Sequence, residues 1–313
     1  MGNDSTTARV ERRTVRAPTA PAPRASQPPA HSAPARPRRS AAPLAAAPAV
    51  PKTPTAAAPQ GAPRAAIVID DLGQRLEDLG QVARLGLPLS IAVIPHLPAS
   101  AQTVREAGRL GIEMLLHQPM EPREEGGKNP GEGVLLVSMA PGALREQLRR
   151  SLDAVPGAVG VNNHMGSRFT EDPAALAPLM VELKERGLFW LDSRTTAATQ
   201  GGDAARAAGV PEIERDVFID AERDPDFIRG QLRRLLETAR LRGTAVGIGH
   251  PRPETLAVLE ELRGELLASG VTLVPVSWLV RPAGTAPPGP ALAAVPARAA
   301  QAASAARPGA ATP

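Results

Sequence analysis

The stretch AAIVIDDLG, residues 65–73, decides the fold. Its apolar, β-branched run (Ile67, Val68, Ile69) stops abruptly at two adjacent carboxylates, Asp70 and Asp71, and Leu72-Gly73 then leads into a helical pattern. Such a run reads as a buried parallel strand delivering two acids to the carboxyl edge of a sheet. Ligands bind at that edge in α/β proteins. Neighbouring residues on a strand point to opposite faces, so both acids can serve one site only if the strand end turns. Taken alone, the pair reads more simply as a helix cap and a solvated acid.

Working outward, the same punctuation recurs. LSIAVI (89–94) is stopped by Pro95-His96, and IEMLL (112–116) ends in His117-Gln118-Pro119-Met120-Glu121-Pro122. AVGV (158–161) ends in Asn162-Asn163-His164-Met165-Gly166-Ser167-Arg168, LFWL (188–191) in Asp192, VFI (217–219) in Asp220, and TAVGI (244–248) in Gly249-His250. A last strand is expected over 271–276. Between these lie helical patterns at 75–85, 100–110 with Ser100 as cap, 142–152, 173–186 with Asp172 as cap, 202–208, 225–241 and 254–267. Strand and helix alternate seven or eight times with short connections, which predicts a parallel (β/α) barrel or open sheet. The polar loop 123–133 is long enough for a lid or a substrate loop.

Composition sets the domain limits. Residues 1–64 and 282–313 are rich in Ala and Pro and poor in large apolar side chains, so both are expected to be disordered tails around one globular domain of residues 65–281. The basic balance is misleading: residues 1–64 hold ten of the 36 Lys and Arg and two of the 32 acids, leaving the domain net negative. The tail arginines have no aromatic residues between them, which argues for a solvated linker and against nucleic-acid binding. There is no cysteine, which excludes disulfides and thiolate zinc sites. No apolar run is long enough for a transmembrane helix. MGNDSTTARVERR shows no signal-peptide core; its Gly2 and Thr6 match a short myristoylation pattern that arises often by chance.

The histidines carry the functional signal. Of five, four (His96, His117, His164 and His250) fall immediately after an expected strand, and His31 lies in the N-terminal tail. Together with Asp70 and Asp71 they predict one polar site at the carboxyl mouth of a barrel. Two imidazoles and a carboxylate form a facial set for Zn²⁺ or a similar divalent ion, with positions left for water and substrate. A further carboxylate can take a proton from the water, and a separate His can protonate a leaving group. Asp70, Asp71, His117, His164 and His250 supply that inventory, and the chemistry implied is metal-assisted hydrolysis of an amide or ester. Asp192 serves equally as a helix cap or as a group orienting an Arg or His, His96 reads as structural, and Glu121 and Arg168 either touch substrate or pair with each other.

The order IVIDDLG, LHQPMEP, NNHMGS, LDSRTT and GIGHPRPET resembles the divergent polysaccharide deacetylase family, a bacterial branch related to NodB-type carbohydrate deacetylases, over residues 65–278. The resemblance implies a distorted (β/α)7 barrel, a divalent metal, most simply zinc, and a carbohydrate substrate in the cell envelope or periplasm. By similarity Asp70 is the base, Asp71 a metal ligand and His250 the acid, with Asp192 beside them. Asn163, Ser167, Arg168 and Glu121 are the expected substrate-binding residues. The NodB-type enzymes take both metal histidines from one His-x-x-x-His motif after strand three. Here no His lies four residues beyond His117, so His164 is placed by geometry as the second histidine ligand. Aromatic residues make up only 2% of the chain and Tyr is absent, leaving Trp190, Trp278 and the few Phe as sugar platforms. These departures keep two alternatives open: a catalytically degenerate barrel acting as an envelope-glycan binding or scaffold module, and a metal hydrolase acting on phosphoester or small amide substrates.

Overall fold

A computed structural model describes residues 61–123 and 129–280. The expected tails, apart from 61–64, and part of the expected lid loop lie outside the described residues. The strands are β1 (Arg64–Leu72), β2 (Ser90–Val93), β3 (Glu113–Met120), β4 (Gly160–Met165), β5 (Phe189–Asp192), β6 (Glu212–Glu214), β7 (Val217–Phe218), β8 (Thr244–Gly249) and β9 (Thr272–Leu273). Every strand pairing is parallel, in the order β6-β5-β4-β3-β2-β1-β8-β7, and β9 adds to the start of β1. Helices α1 (Leu76–Arg84), α2 (Ser100–Leu110), α3 (Pro141–Ala154), α4 (Pro173–Arg186), α5 (Gly201–Ala208), α6 (Pro225–Arg242), α7 (Pro253–Glu261) and α8 (Arg263–Ala268) alternate with them, and a short α9 (Ser277–Val280) follows β9.

The two outer edges of this curled sheet are one stretch of chain. Only Arg215 and Asp216 separate β6 from β7. The Arg215 amide donates to Asp192 O of β5, and the next amide, Asp216, donates to Val246 O of β8. Residues 212–218 thus bond to β5 with their first half and to β8 with their second. Counting that stretch once gives the seven walls of the expected barrel. Its first half, Glu-Ile-Glu, has no apolar run and is absent from the strands expected from sequence.

Period-two alternation sorts each strand into two layers. Ile67, Ile69, Leu116, Val161, Trp190 and Val217 face the helices. Ala66, Val68, Ala92, Leu115, Phe189, Leu191, Val246 and Ile248 fill the barrel interior, where Leu279 and Val280 of α9 pack against them. Towards the carboxyl ends the interior register continues with polar residues. Asp70 follows Val68, His117 follows Leu115, Asn162 and His164 follow Gly160, Ser193 follows Leu191, and His250 follows Ile248. The interior is apolar at its floor and ionisable at its mouth.

Several expected boundaries move. β3 and β4 continue through their polar residues, because His117 pairs with Asn162, and Pro119 with His164, in an unbroken register. Both histidines therefore lie inside strands rather than after them. Ser100 does not cap α2; its hydroxyl donates to Ile94 O at 2.6 Å and holds the turn after β2. Asp172 does cap α4, accepting from the amides of Ala174 and Ala175. The expected helix 254–267 is two helices, broken at Leu262.

Candidate active site

Asp71 would face the helices if β1 ran straight. Instead its φ is +60°, a conformation disfavoured for a residue with a side chain. The register with β2 slips there: Ile69 pairs with Ile91 and Leu72 with Val93, so β1 carries one extra residue. Gly73 follows at φ +117°, where a Cβ would lie 2.6 Å from Ser100 Oγ. The bulge rotates Asp71 into the mouth beside Asp70, which is the turn that two adjacent acids require.

Three donor atoms then converge. Asp71 Oδ1 lies 2.9 Å from His164 Nδ1 and 3.2 Å from His117 Nε2, and the two imidazole nitrogens are 3.2 Å apart. Ligands held at roughly 2.0–2.2 Å around a tetrahedral ion sit roughly 3.3–3.6 Å from one another, so the triangle is slightly tighter than a loaded site. Asp71 Oδ1 is buried yet accepts no well-directed hydrogen bond. An unsatisfied carboxylate oxygen facing two imidazole nitrogens fits a divalent cation.

Asp70 and His250 flank the triangle. Asp70 is buried, with Oδ2 3.6 Å from His117 Nε2. Its carboxyl is pushed up by burial, against the pull of His117 and His250. Burial would also raise Asp71, but the imidazoles of His117 and His164 hold it far below the usual carboxylate range. Burial would lower His117; the carboxylates of Asp70 and Asp71 raise it to about 9. His250 Nε2 is 3.7 Å from Asp71 Oδ2, and its Nδ1 is 2.8 Å from Asp220 Oδ1. Asp220 is fully buried and also accepts from the His250 amide and from Thr255 Oγ1. Burial tends to raise its carboxyl, and those donors lower it below the ordinary range. The carboxylate fixes the imidazole ring with Nε2 towards the cluster.

The other expected site residues lie elsewhere. Asp192 is out of phase with Leu191 and points towards the helices, where it accepts from the Arg194 amide and from Thr199 Oγ1. Burial raises its carboxyl. Asn163 is likewise out of phase; it accepts from the Ser193 amide and donates to Met165 O, tying β4 to the loop after β5. Ser167 accepts from the Arg123 amide. Glu121 pairs with Arg168 at 2.8 Å and accepts from the Val137 amide, pinning the loop base. His96 is exposed on the loop after β2 with φ +63°. Trp190 is buried in the helix layer, and Trp278 belongs to α9, at the opposite end of the barrel from the mouth. The aromatic ring exposed beside the site is Phe218, 5.6 Å from the His250 ring and 4.9 Å from the Arg215 guanidinium.

Sequence reasoning missed Asp220 and Asn162, and held Phe218 only as one of the few Phe left as sugar platforms. Asp220 ends a strand as the other site acids do and lies one strand before His250. Asn162 has the interior phase of His164. Those two signals were present in the sequence.

Residues 67–280 match the divergent polysaccharide deacetylase family. The chain belongs to that family. It is 36% identical over 225 residues to the uncharacterized protein YibQ of Escherichia coli K12, covering 72% of this chain and 69% of that one. It is 35% identical over 228 residues to an uncharacterized protein of Haemophilus influenzae, covering 72% and 80%. Among solved structures, the uncharacterized protein ATU2773 of Agrobacterium tumefaciens C58 shares 30% identity with a TM-score of 0.66, over 70% of this chain and 89% of that one. Among the described residues of this divergent polysaccharide deacetylase, no helix is long and apolar enough to cross a membrane.

Proposed function

We propose that this protein is a metal-dependent hydrolase that removes acyl groups from a cell-envelope carbohydrate. The observation that carries the reading is the convergence of Asp71 Oδ1, His117 Nε2 and His164 Nδ1 within 3.2 Å of one another, flanked by Asp70 and His250. Family membership supports the carbohydrate substrate and, through it, the envelope. Asp71, His117 and His164 would hold a divalent ion, with zinc favoured by the N,N,O donor set. When bound, such an ion polarises an acyl oxygen and acidifies water. Asp70, buried and raised in pKa, accepts the proton of the attacking water. His250, aimed by Asp220, delivers a proton to the departing amine or alcohol oxygen from Nε2. Phe218 offers an apolar face for a sugar ring beside His250.

The full chain purified without chelator should carry one metal ion per molecule by elemental analysis, and the ion should be lost in His117→Ala and His164→Ala. The metal-loaded protein should release acetate from N-acetylated chito-oligosaccharides, and chelation should stop it. Absence of stoichiometric metal, or acetate release insensitive to chelation, overturns the reading. Glycan binding without any turnover would favour a non-catalytic glycan-binding role.

A further inference from the structure

Asn162 touches both halves of the site at once. Its Oδ1 is 2.9 Å from His117 Nδ1. Its Nδ2 is 3.0 and 3.1 Å from the two oxygens of Asp70, and 3.2 Å from Ser193 Oγ. The residue is fully buried, so water does not substitute for these partners. A carboxylate only accepts hydrogen bonds, so the Asn162 amide must turn its NH₂ to Asp70 and its carbonyl to His117. The carbonyl also only accepts. His117 must therefore carry a proton on Nδ1, so that its neutral ring leaves Nε2 bare and directed at Asp71 and His164.

From this geometry we infer that Asn162 is a positioning residue that sets the tautomer of His117 and the orientation of Asp70 through a single amide. The inference rests on the metal-hydrolase reading for its consequence, since a bare Nε2 is what a metal ligand needs. Its structural basis is separate. Asn162 links the residue proposed to hold the ion to the residue proposed to take the proton, so ligand and base share one support. Asn163, the next residue, faces the other way and cannot replace it.

The experiment uses the full chain and zinc alone as probe. Asn162→Ala should weaken zinc affinity by about 10–100-fold, the usual effect of losing the hydrogen-bond partner of a ligating histidine. Asn162→Asp keeps an acceptor for His117 Nδ1 but sets a carboxylate against Asp70. It should hold zinc at least as tightly as the native chain while acetate release falls by about 100-fold or more. A merely structural Asn162 predicts instead that both variants lose zinc and thermal stability together. Nitrogen-15 NMR of the histidine rings gives the direct readout: the native zinc-loaded protein should show His117 protonated at Nδ1. An Nε2-protonated His117, or native zinc affinity in Asn162→Ala, overturns the assignment. If the native chain takes up no zinc, the metal reading fails on its own. The His117 tautomer in the zinc-free protein at alkaline pH then still decides the role of Asn162: Nδ1–H upholds it and Nε2–H rejects it.

Discussion

Two carboxylates in this molecule have opposite surroundings. Glu182 on α4, on the outside of the barrel, accepts from the guanidinium groups of Arg145, Arg149 and Arg186 at 2.8–3.1 Å. Asp71, in the mouth, has a buried oxygen with no directed donor although two imidazoles stand within 3.2 Å. The protein neutralises the first acid fully and leaves the second poised. Satisfied charge marks a structural group, whereas the unsatisfied Asp71 oxygen, held by a strained backbone, is the one the proposed metal ion would meet.

Removing one charge from each region should separate these roles. The largest expected effect is on catalysis: Asp70→Asn should lower acetate release by about 10²–10⁴-fold, the usual contribution of a general base. It keeps an acceptor for Asn162, so urea unfolding of the metal-free protein should change by less than about 1 kcal/mol. A large loss of stability in that variant would erase the contrast.

Glu182→Gln should do the reverse. Burial would raise the Glu182 carboxyl, but the three arginines hold it at about 2, against 4.5 for the free group. A lowered carboxyl pKa stabilises the fold above the unfolded value, and that contribution is lost as pH falls from about 4.5 towards 2. Its size is about 3 kcal/mol at neutral pH. Urea titrations should show the variant less stable by about that amount at neutral pH, with the difference closing in acid and zinc affinity unchanged.

A smaller effect is expected from Phe218→Ala. The KM for an N-acetylated chito-oligosaccharide should rise about 5–10-fold as an aromatic contact is lost, while kcat/KM for a small aryl acetate stays the same. Equal changes for both substrates would instead assign Phe218 to the integrity of the barrel wall. The smallest effect is expected from Asp192→Asn, within about 1 kcal/mol by thermal unfolding and silent in zinc binding, because its contacts are to Arg194 and Thr199.

Much of the arrangement was legible in the chain because the strands obey strict alternation. Apolar runs ending in Asp or His located the mouth, and the interior phase of Leu115, Gly160 and Ile248 carries directly to His117, His164 and His250. The same phase places Asp192 and Asn163 on the helix side, so their expected roles in the mouth conflict with a pattern already readable. Asp71 was not legible in this way. Its phase points outward, and only the bulge at φ +60° brings it in. Backbone irregularities of this kind leave no period to read. The partner switch at Arg215 and Asp216 was hidden for a related reason: a short polar strand such as Glu212–Glu214 has no apolar signature, and its neighbours on both sides come from distant parts of the chain.

That switch has a mechanical consequence. Six walls of the barrel are continuous strands, β1 to β5 and β8, whereas residues 212–218 act as a clasp fastened to β5 by one short ladder and to β8 by another. Unfastening either ladder would widen the mouth next to Phe218 and His250 while leaving Asp70, Asp71, His117 and His164 anchored on β1, β3 and β4. On the proposed function, the enclosure can yield to a bulky polymer on one flank without loosening the side that carries the proposed metal ligands. Amide hydrogen exchange should accordingly be fastest at the clasp and slowest in β1.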